Sequence, residues 1–343
     1  WAVHGGGFYN PQKYLVAPAE LPKELHWFKW EAYSTWLSGI ALLTIAYYFN
    51  AQAMMIDKSV ADISSLRAVG IGVGTLVAGW TVYDLLCRSP LGKHDLWFGI
   101  VVFLLIVAAA YGLTHVLSGR AAYIHVGALI GTIMVGNVLM LIIPGQRKMV
   151  EAMSAGRMPD PVHGQKAKQR SVHNNYFTLP VLFIMISNHY AMTYRHDHAW
   201  LVLAFIMAAG VFIRHFFNLR HKGRVEWRYP AIGIALLAGV AVAIAPARPV
   251  AVAPAADPAA EFAKVQAILA HRCATCHAER PTQPGFAAAP LGVMLENAAE
   301  IHQNAEKIYK QTVQLKAMPL ANLTQMTDAE RAQIAAWYEA GAK

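Results

Sequence analysis

The sequence predicts an all-α membrane protein: a polytopic transmembrane helical bundle followed by a small helical domain at the C-terminus. Three observations carry that prediction. Hydrophobic residues make up 56% of the 343-residue chain and charged residues only 14%, with mean hydropathy +0.34, a balance too apolar for a soluble globular protein of this length. Apolar stretches near the ~20 residues needed to cross a hydrocarbon core recur along residues 30–246. A Pro/Ala-rich run follows them, and beyond it the chain turns amphipathic rather than uniformly apolar.

Seven spans are placed near residues 30–49, 68–86, 96–115, 122–143, 176–193, 199–217 and 229–246. The second contains VGIGVGTLVAGW, whose glycines predict close helix packing, because no strand–turn–helix context supports a nucleotide loop. Cys87, at its end, reads as an inert buried thiol. His115 closes the third span and His125 opens the fourth, which also carries Asn137. Pro180 interrupts the fifth, which includes Asn188 and His189; buried neighbours can satisfy such a break. Arg214, His215 and Asn218 close the sixth.

Lys and Arg accumulate in cytoplasmic loops, and the loops before the first span and after the second, fourth and sixth hold about fourteen of them against about four elsewhere. The run PGQRKMVEAMSAGRMPDPVHGQKAKQR fixes the cytoplasmic side, so seven crossings put everything after residue 246 outside, in the periplasm of a Gram-negative bacterium. The same topology accounts for the +9 net charge; no nucleic-acid module is visible, and no nucleic-acid partner is expected. The chain begins at Trp1 without an initiator methionine or signal pattern, which predicts a removed upstream segment.

Three regions follow: a transmembrane domain over 1–246, a linker over 247–258 and a tail domain over 259–343. Within the tail, Cys273-Ala274-Thr275-Cys276-His277 fits C-x-x-C-H, the attachment sequence of covalent haem c. Phe262, Val265, Ile268 and Leu269 lead into it at helical spacing, while Thr327 and Glu330 form a capping box before Ile334, Trp337 and Tyr338. Cys273 and Cys276 are the covalent anchors and His277 one iron ligand. Met294, Met318, Met326 and His302 compete for the other axial position. Met318 is preferred, because it precedes Pro319 as the distal methionine does in the class I cytochromes c that the tail resembles. A thioether ligand raises the reduction potential and suits an electron acceptor.

The N-terminal residues WAVHGGGFYNPQKYLVAPAELPKELHWFKWEAYSTWLSG, together with HNNYFTLPVLFIMISNHY and the haem tail, resemble the bacterial membrane-bound urate oxidases, also called urate hydroxylases. That resemblance implies a further transmembrane helix upstream of Trp1, making eight. It implies oxidation of urate to 5-hydroxyisourate in the bacterial inner membrane, without hydrogen peroxide. Electrons would leave through the periplasmic tail for a downstream acceptor such as a soluble cytochrome c or a terminal oxidase of the respiratory chain. Membrane lipid is the other implied partner, and assembly into oligomers is compatible with the sequence.

Urate is planar, polar and anionic, so its pocket needs an aromatic wall, amides or backbone N–H groups and a cation. Gly5, Gly6 and Gly7 let backbone approach a ligand closely, Phe8 and Tyr9 offer stacking faces, and His4 is a candidate base. A tight turn is the competing reading of that loop. His173, Asn174 and Asn175 open the fifth span and Arg214 and His215 close the sixth, both at the cytoplasmic face, with Asn137 a further binding candidate. His173 and His215 are the other candidate catalytic histidines.

One haem takes one electron at a time, whereas urate gives up two, and a cytoplasmic substrate lies a membrane thickness from a periplasmic haem. His115, His125 and His189, at one depth, are therefore candidate ligands of an additional b-type haem or a metal. His196 and His198, in the outer loop, are candidates for guiding the tail into place. Two other functions compete: a quinol-oxidising or other respiratory membrane subunit with a fused cytochrome c, and a tethered electron carrier whose bundle is only an anchor.

Overall fold

The structure is a computed structural model, and it describes residues 2–4, 6–10, 12, 14, 17–245 and 257–342. The chain begins as a ribbon in which β1 (Ala2–His4) pairs antiparallel with β2 (Gly7–Tyr9), Val3 opposite Phe8. Gly6 turns between them at φ 78°, a conformation open to glycine, so the glycine run makes a hairpin tip. Every other regular element among the described residues is helical.

Helix α1 (Trp30–Leu43) continues through a π turn at Thr44–Tyr48 to the short α2 (Ala51–Met54). Next, α3 (Ser65–Arg88) starts on Ser64, whose hydroxyl accepts the Arg67 N–H, and α4 (Asp95–Thr114) returns. Then α5 (Gly119–Gly136) starts on Ser118, whose hydroxyl accepts the Ala121 N–H and donates to the Met54 carbonyl. One buried cap thereby ties α5 to the end of α2. A π turn at Asn137–Ile142 joins α5 to α6 (Ile143–Ser154). Pro144 has no N–H for the carbonyl four residues back, so the ladder is disrupted where the π turn leads into α6.

The basic run, expected as a cytoplasmic loop, is largely helical. Asp160 caps α7 (Pro161–Ile186), with Pro161 in its first turn, and α7 packs back along α6. The fifth span, expected at 176–193, is not one helix. α7 carries straight through Pro180 and stops at Ile186, and a 3-10 turn at Ser187–His189 leads into α8 (Ala191–Tyr194). The long α9 (Ala199–Arg220) tolerates that proline by presenting Gly210, where an added Cβ would lie 3.3 Å from the Pro180 ring. Helix α10 (Arg228–Ala243) packs against α9.

Among the described residues four helices are long and apolar enough to cross a membrane: Ser65–Arg88, Asp95–Thr114, the continuous Gly119–Ser154 and Ala199–Arg220. They mark a membrane protein. The others fall short singly: α1 has 14 residues before its π turn, α10 has 16, and the first half of α7 carries Lys166, Lys168 and Arg170. In the bundle core Met55, Leu117, Tyr123, Ile130 and Leu203 are fully buried. Two glycines of the α3 pattern serve packing: a Cβ on Gly72 or Gly79 would collide with His125 or Leu129 of α5, whereas nothing lies within 4 Å of a Cβ on Gly70 or Gly74.

Of the linker over 247–258, residues 247–256 lie outside the described residues, and Asp257 caps the helix that Pro258 begins. Beyond it, α11 (Pro258–Arg272), α12 (Ala298–Gln303), α13 (Ala305–Tyr309) and α14 (Asp328–Glu339) enclose a second core of Val265, Leu269, Ile301, Ile334 and Trp337. Burial of each such side chain contributes about 1.5–3 kcal/mol. Both halves of the Thr327–Glu330 capping box are formed, and Arg272 ion-pairs with Glu330 at 2.9 Å to join α11 to α14.

Candidate functional site

Helical spacing places Arg170, His173 and Asn174 on one face of α7, looking at Tyr83, Asp84 and Cys87 of α3 and at Asn137 in the π turn. These side chains form one connected network inside the bundle. Arg170, 3% exposed, donates to Asp84 at 2.8 Å and to Asn137 Oδ1 at 3.0 Å. Asn137, fully buried, donates its two amide hydrogens to Asn174 Oδ1 at 2.8 Å and to the Tyr83 oxygen at 3.0 Å. Tyr83 Oη lies 2.8 Å from His173 Nδ1, and Cys87 Sγ 3.9 Å from the same nitrogen. Phe98 stacks on the His173 ring at 4.6 Å, and the Arg170 guanidinium lies over the Tyr83 ring at 5.1 Å.

The order of donors fixes the chemistry. Guanidinium only donates, so Asn137 must offer its oxygen to Arg170 and its nitrogen to Tyr83. With the Tyr83 hydrogen directed at His173 Nδ1, the remaining proton of the neutral ring stands on Nε2. In that tautomer His173, a candidate catalytic histidine, presents an N–H donor suited to an anionic or carbonyl-bearing ligand.

The other half of the expected cluster faces elsewhere. One residue along a helix rotates the side chain by about 100°, so Asn175 and Tyr176 point to α9 and not to Asn137. There Arg214 Nε donates to Asn175 Oδ1 at 2.6 Å, and His215 Nδ1 lies 2.7 Å from Tyr176 Oη with Tyr229 edge-on at 4.5 Å. His173, Asn174 and Asn137 thus form one group, and Asn175, Arg214 and His215 another.

The hairpin joins neither group through its described residues. Phe8 is 74% exposed, and nothing lies within 4 Å of where a side chain on Gly6 would begin. Gly5 and the side chains of His4 and Tyr9 fall outside the described residues, and Gly7 enters as backbone in β2.

The three histidines expected to share a cofactor are not brought together. His115 and His189 are exposed, and His115 Nδ1 bonds the Tyr111 carbonyl at 2.7 Å. His125 is fully buried between Tyr47 and Tyr48, with Nδ1 bonded to the Ala121 carbonyl at 2.8 Å. Equal depth did not mean equal helix phase, and no group of three His, Cys, Asp or Glu near enough to hold a metal exists among the described residues. His125 Nε2 and Tyr48 Oη are buried without hydrogen-bond partners among the described residues.

In the tail, Cys273 and Cys276 are both free thiols on the turn that follows α11, and the His277 N–H bonds the Cys273 carbonyl at 2.8 Å. Burial, and then the neighbouring Cys276, pushes the Cys273 thiol up to about 12. His277 Nδ1 donates to the Val293 carbonyl at 2.9 Å, which leaves Nε2 as the acceptor. Met318 is half-buried on a loop pinned by its own N–H to Gln311 at 3.0 Å and by Arg331 on its carbonyl at 2.8 Å. Of its competitors, Met326 belongs to the tail core, Met294 is largely exposed, and His302 bonds the Ala342 carbonyl and stacks on Phe262.

Tyr83, Asp84, Arg170 and Phe98 were absent from the sequence-based set. Asp84 carried a readable signal, as the only acid within its span. Arg170 was hidden in the basic run, where topology alone explains a positive charge. No curated protein and no solved structure matches the chain. The family model described as "Urate oxidase N-terminal" matches residues 1–245, covering the hairpin and every residue of both polar groups, and the chain belongs to that family.

Proposed function

We propose that the chain oxidises urate to 5-hydroxyisourate within a bacterial inner membrane, with the periplasmic tail as electron acceptor and no hydrogen peroxide formed. Family membership supports a urate-related oxidoreductase, and the four membrane-competent helices support the setting. The observation that carries the reading is the one-directional network Arg170–Asn137–Tyr83–His173. It holds an N–H donor and the Phe98 face beside a buried cation, the groups a planar anion requires. In this reading the Nε2–H of His173 binds and orients urate, while the Asn137–Asn174 amides and the Asp84-paired Arg170 hold the network that fixes that ring. Arg214 and His215, on α9 against the other face of α7, line the approach. Formation of 5-hydroxyisourate takes up one water and releases two electrons and two protons.

The tail residues fit a c-type haem: paired free thiols for covalent attachment, a histidine whose Nδ1 is already bonded so that Nε2 can face iron, and Met318 on a fixed loop. Such a haem would supply a one-electron acceptor. The test is an anaerobic visible spectrum of the oxidised holoprotein before and after urate. Reduction of the c-type band is expected, and a spectrum unmoved by urate but reduced by a quinol would replace this reading with a respiratory-subunit one.

A further inference from the structure

The loop that carries Met318 lies against the end of the bundle opposite the basic run of α6 and α7. Its Leu320–Asn322 turn packs on α2, Leu315 and Ala317 pack on the bundle core, and Gly285 lies beside Asn50. Two adjacent carbonyls of this loop are each held by a guanidinium. Arg331, from the tail, donates to the Met318 carbonyl at 2.8 Å. Arg195, from the turn after α8, donates to the Pro319 carbonyl at 3.1 Å.

Arg195 is itself fixed by Asp57 at 3.4 Å, and Asp57 is 4% exposed. The other Asp57 oxygen accepts the Ser59 N–H at 3.0 Å and the Ser59 hydroxyl at 2.5 Å. Burial pulls the Arg195 pKa below its ordinary value and Asp57 opposes that; burial and then Arg195 pull Arg331 down in the same way. Two partly desolvated cations thus share one loop, and Asp57 is the buried acid beside them. Without it their repulsion would fall on the contact between tail and bundle.

We propose that this contact is a latch setting the docked pose of the tail: Arg195 is a positioning residue that grips the loop bearing Met318, and Asp57 holds Arg195 in place. The proposal rests on the tail being the electron acceptor. It assigns docking to Arg195, next to the His196 and His198 that the sequence had suggested. Because the contact is made by two guanidinium grips and a few apolar side chains at the end of a Pro/Ala-rich linker, the tail can also leave, which lets one domain alternate between the bundle and an external acceptor.

The test uses the full-length holoprotein in detergent with Arg195→Gln, Asp57→Asn and the conservative Arg195→Lys. Amide hydrogen exchange over residues 51–56 and 318–323 is expected to quicken in the first two variants, with partial rescue by lysine. Stopped-flow haem reduction by urate should slow by about tenfold or more, the change that 1.4 kcal/mol of lost docking gives. Reduction by dithionite and haem content should stay unchanged, which separates docking from damage to the tail. Unchanged exchange overturns the latch, and quicker exchange with an unchanged urate-driven rate overturns its functional role. If urate fails to reduce even the parent protein, the electron-acceptor reading falls, and exchange alone still decides whether the latch exists.

Discussion

The two polar faces of α7 use the same side-chain types to different ends. Arg170 faces inward, is nearly inaccessible and is neutralised by Asp84, whereas Arg214 faces outward, is half-buried and bonds only the neutral amide of Asn175 among the described residues. His173 is locked by a tyrosine that is itself locked by Asn137, whereas the Tyr176 partner of His215 has no such backing among the described residues. The difference teaches that depth, more than residue identity, sets the requirement: a guanidinium removed from water needs a counter-charge and satisfied hydrogens, and a half-exposed one does not.

The comparison breaks most sharply at Arg170. Arg170→Met leaves Asp84 with the more exposed Arg88, at 2.6 Å, as its remaining counter-charge and takes the donor from Asn137 Oδ1; it should cost about 3 kcal/mol, read from thermal unfolding in detergent. The double variant with Asp84→Leu should recover part of that loss; an additive result would mean the pair is not coupled. His173→Gln should lower urate turnover about a hundredfold with the fold intact, while His215→Gln should cost less than about tenfold. Equal losses would erase the distinction between the faces.

Asn137→Ala removes the acceptor of Arg170 and two donors, and should destabilise by about 1–3 kcal/mol. Asn175→Ala, on the outer face, should cost about 1 kcal/mol or less in the same melt. The smallest effect belongs to the tail. Burial alone would raise the Glu330 pKa, but the Thr327 N–H, the Arg272 guanidinium and the Thr327 hydroxyl outweigh it, and the carboxyl sits below its ordinary value. That stabilisation is complete above the ordinary carboxylate range and is lost as pH falls through the depressed value. Glu330→Gln should therefore flatten the acid limb of tail unfolding followed by circular dichroism.

Local pattern was legible where one segment decides the outcome. The capping box at Thr327, the helix leading into Cys273 and the glycine packing of α3 all follow from spacing within a dozen residues. Grouping of the site residues was legible only in part, because it depends on helix phase. Positions 173 to 175 looked like one cluster in the sequence, yet the 3.6-residue turn divides them between α3 and α9. The same cause separated His115, His125 and His189. The basic run misled for another reason: a charge count gives topology but says nothing of which arginine is buried, and Arg170 was counted with its exposed neighbours. The end of the fifth span was drawn too late: Ser187, Asn188 and His189 are polar residues standing where the helix breaks.

The network between Arg170 and His173 has one further consequence. Each member points its dipole the same way, from the guanidinium through the amide and the phenol to the imidazole, so each bond polarises the next. A fixed charge in the interior is thereby felt at a ring edge that carries none. In the proposed reading an anion is drawn to that ring edge with no cation exposed to lipid, and because Arg170 is paired with Asp84 the intermediate residues tune the attraction.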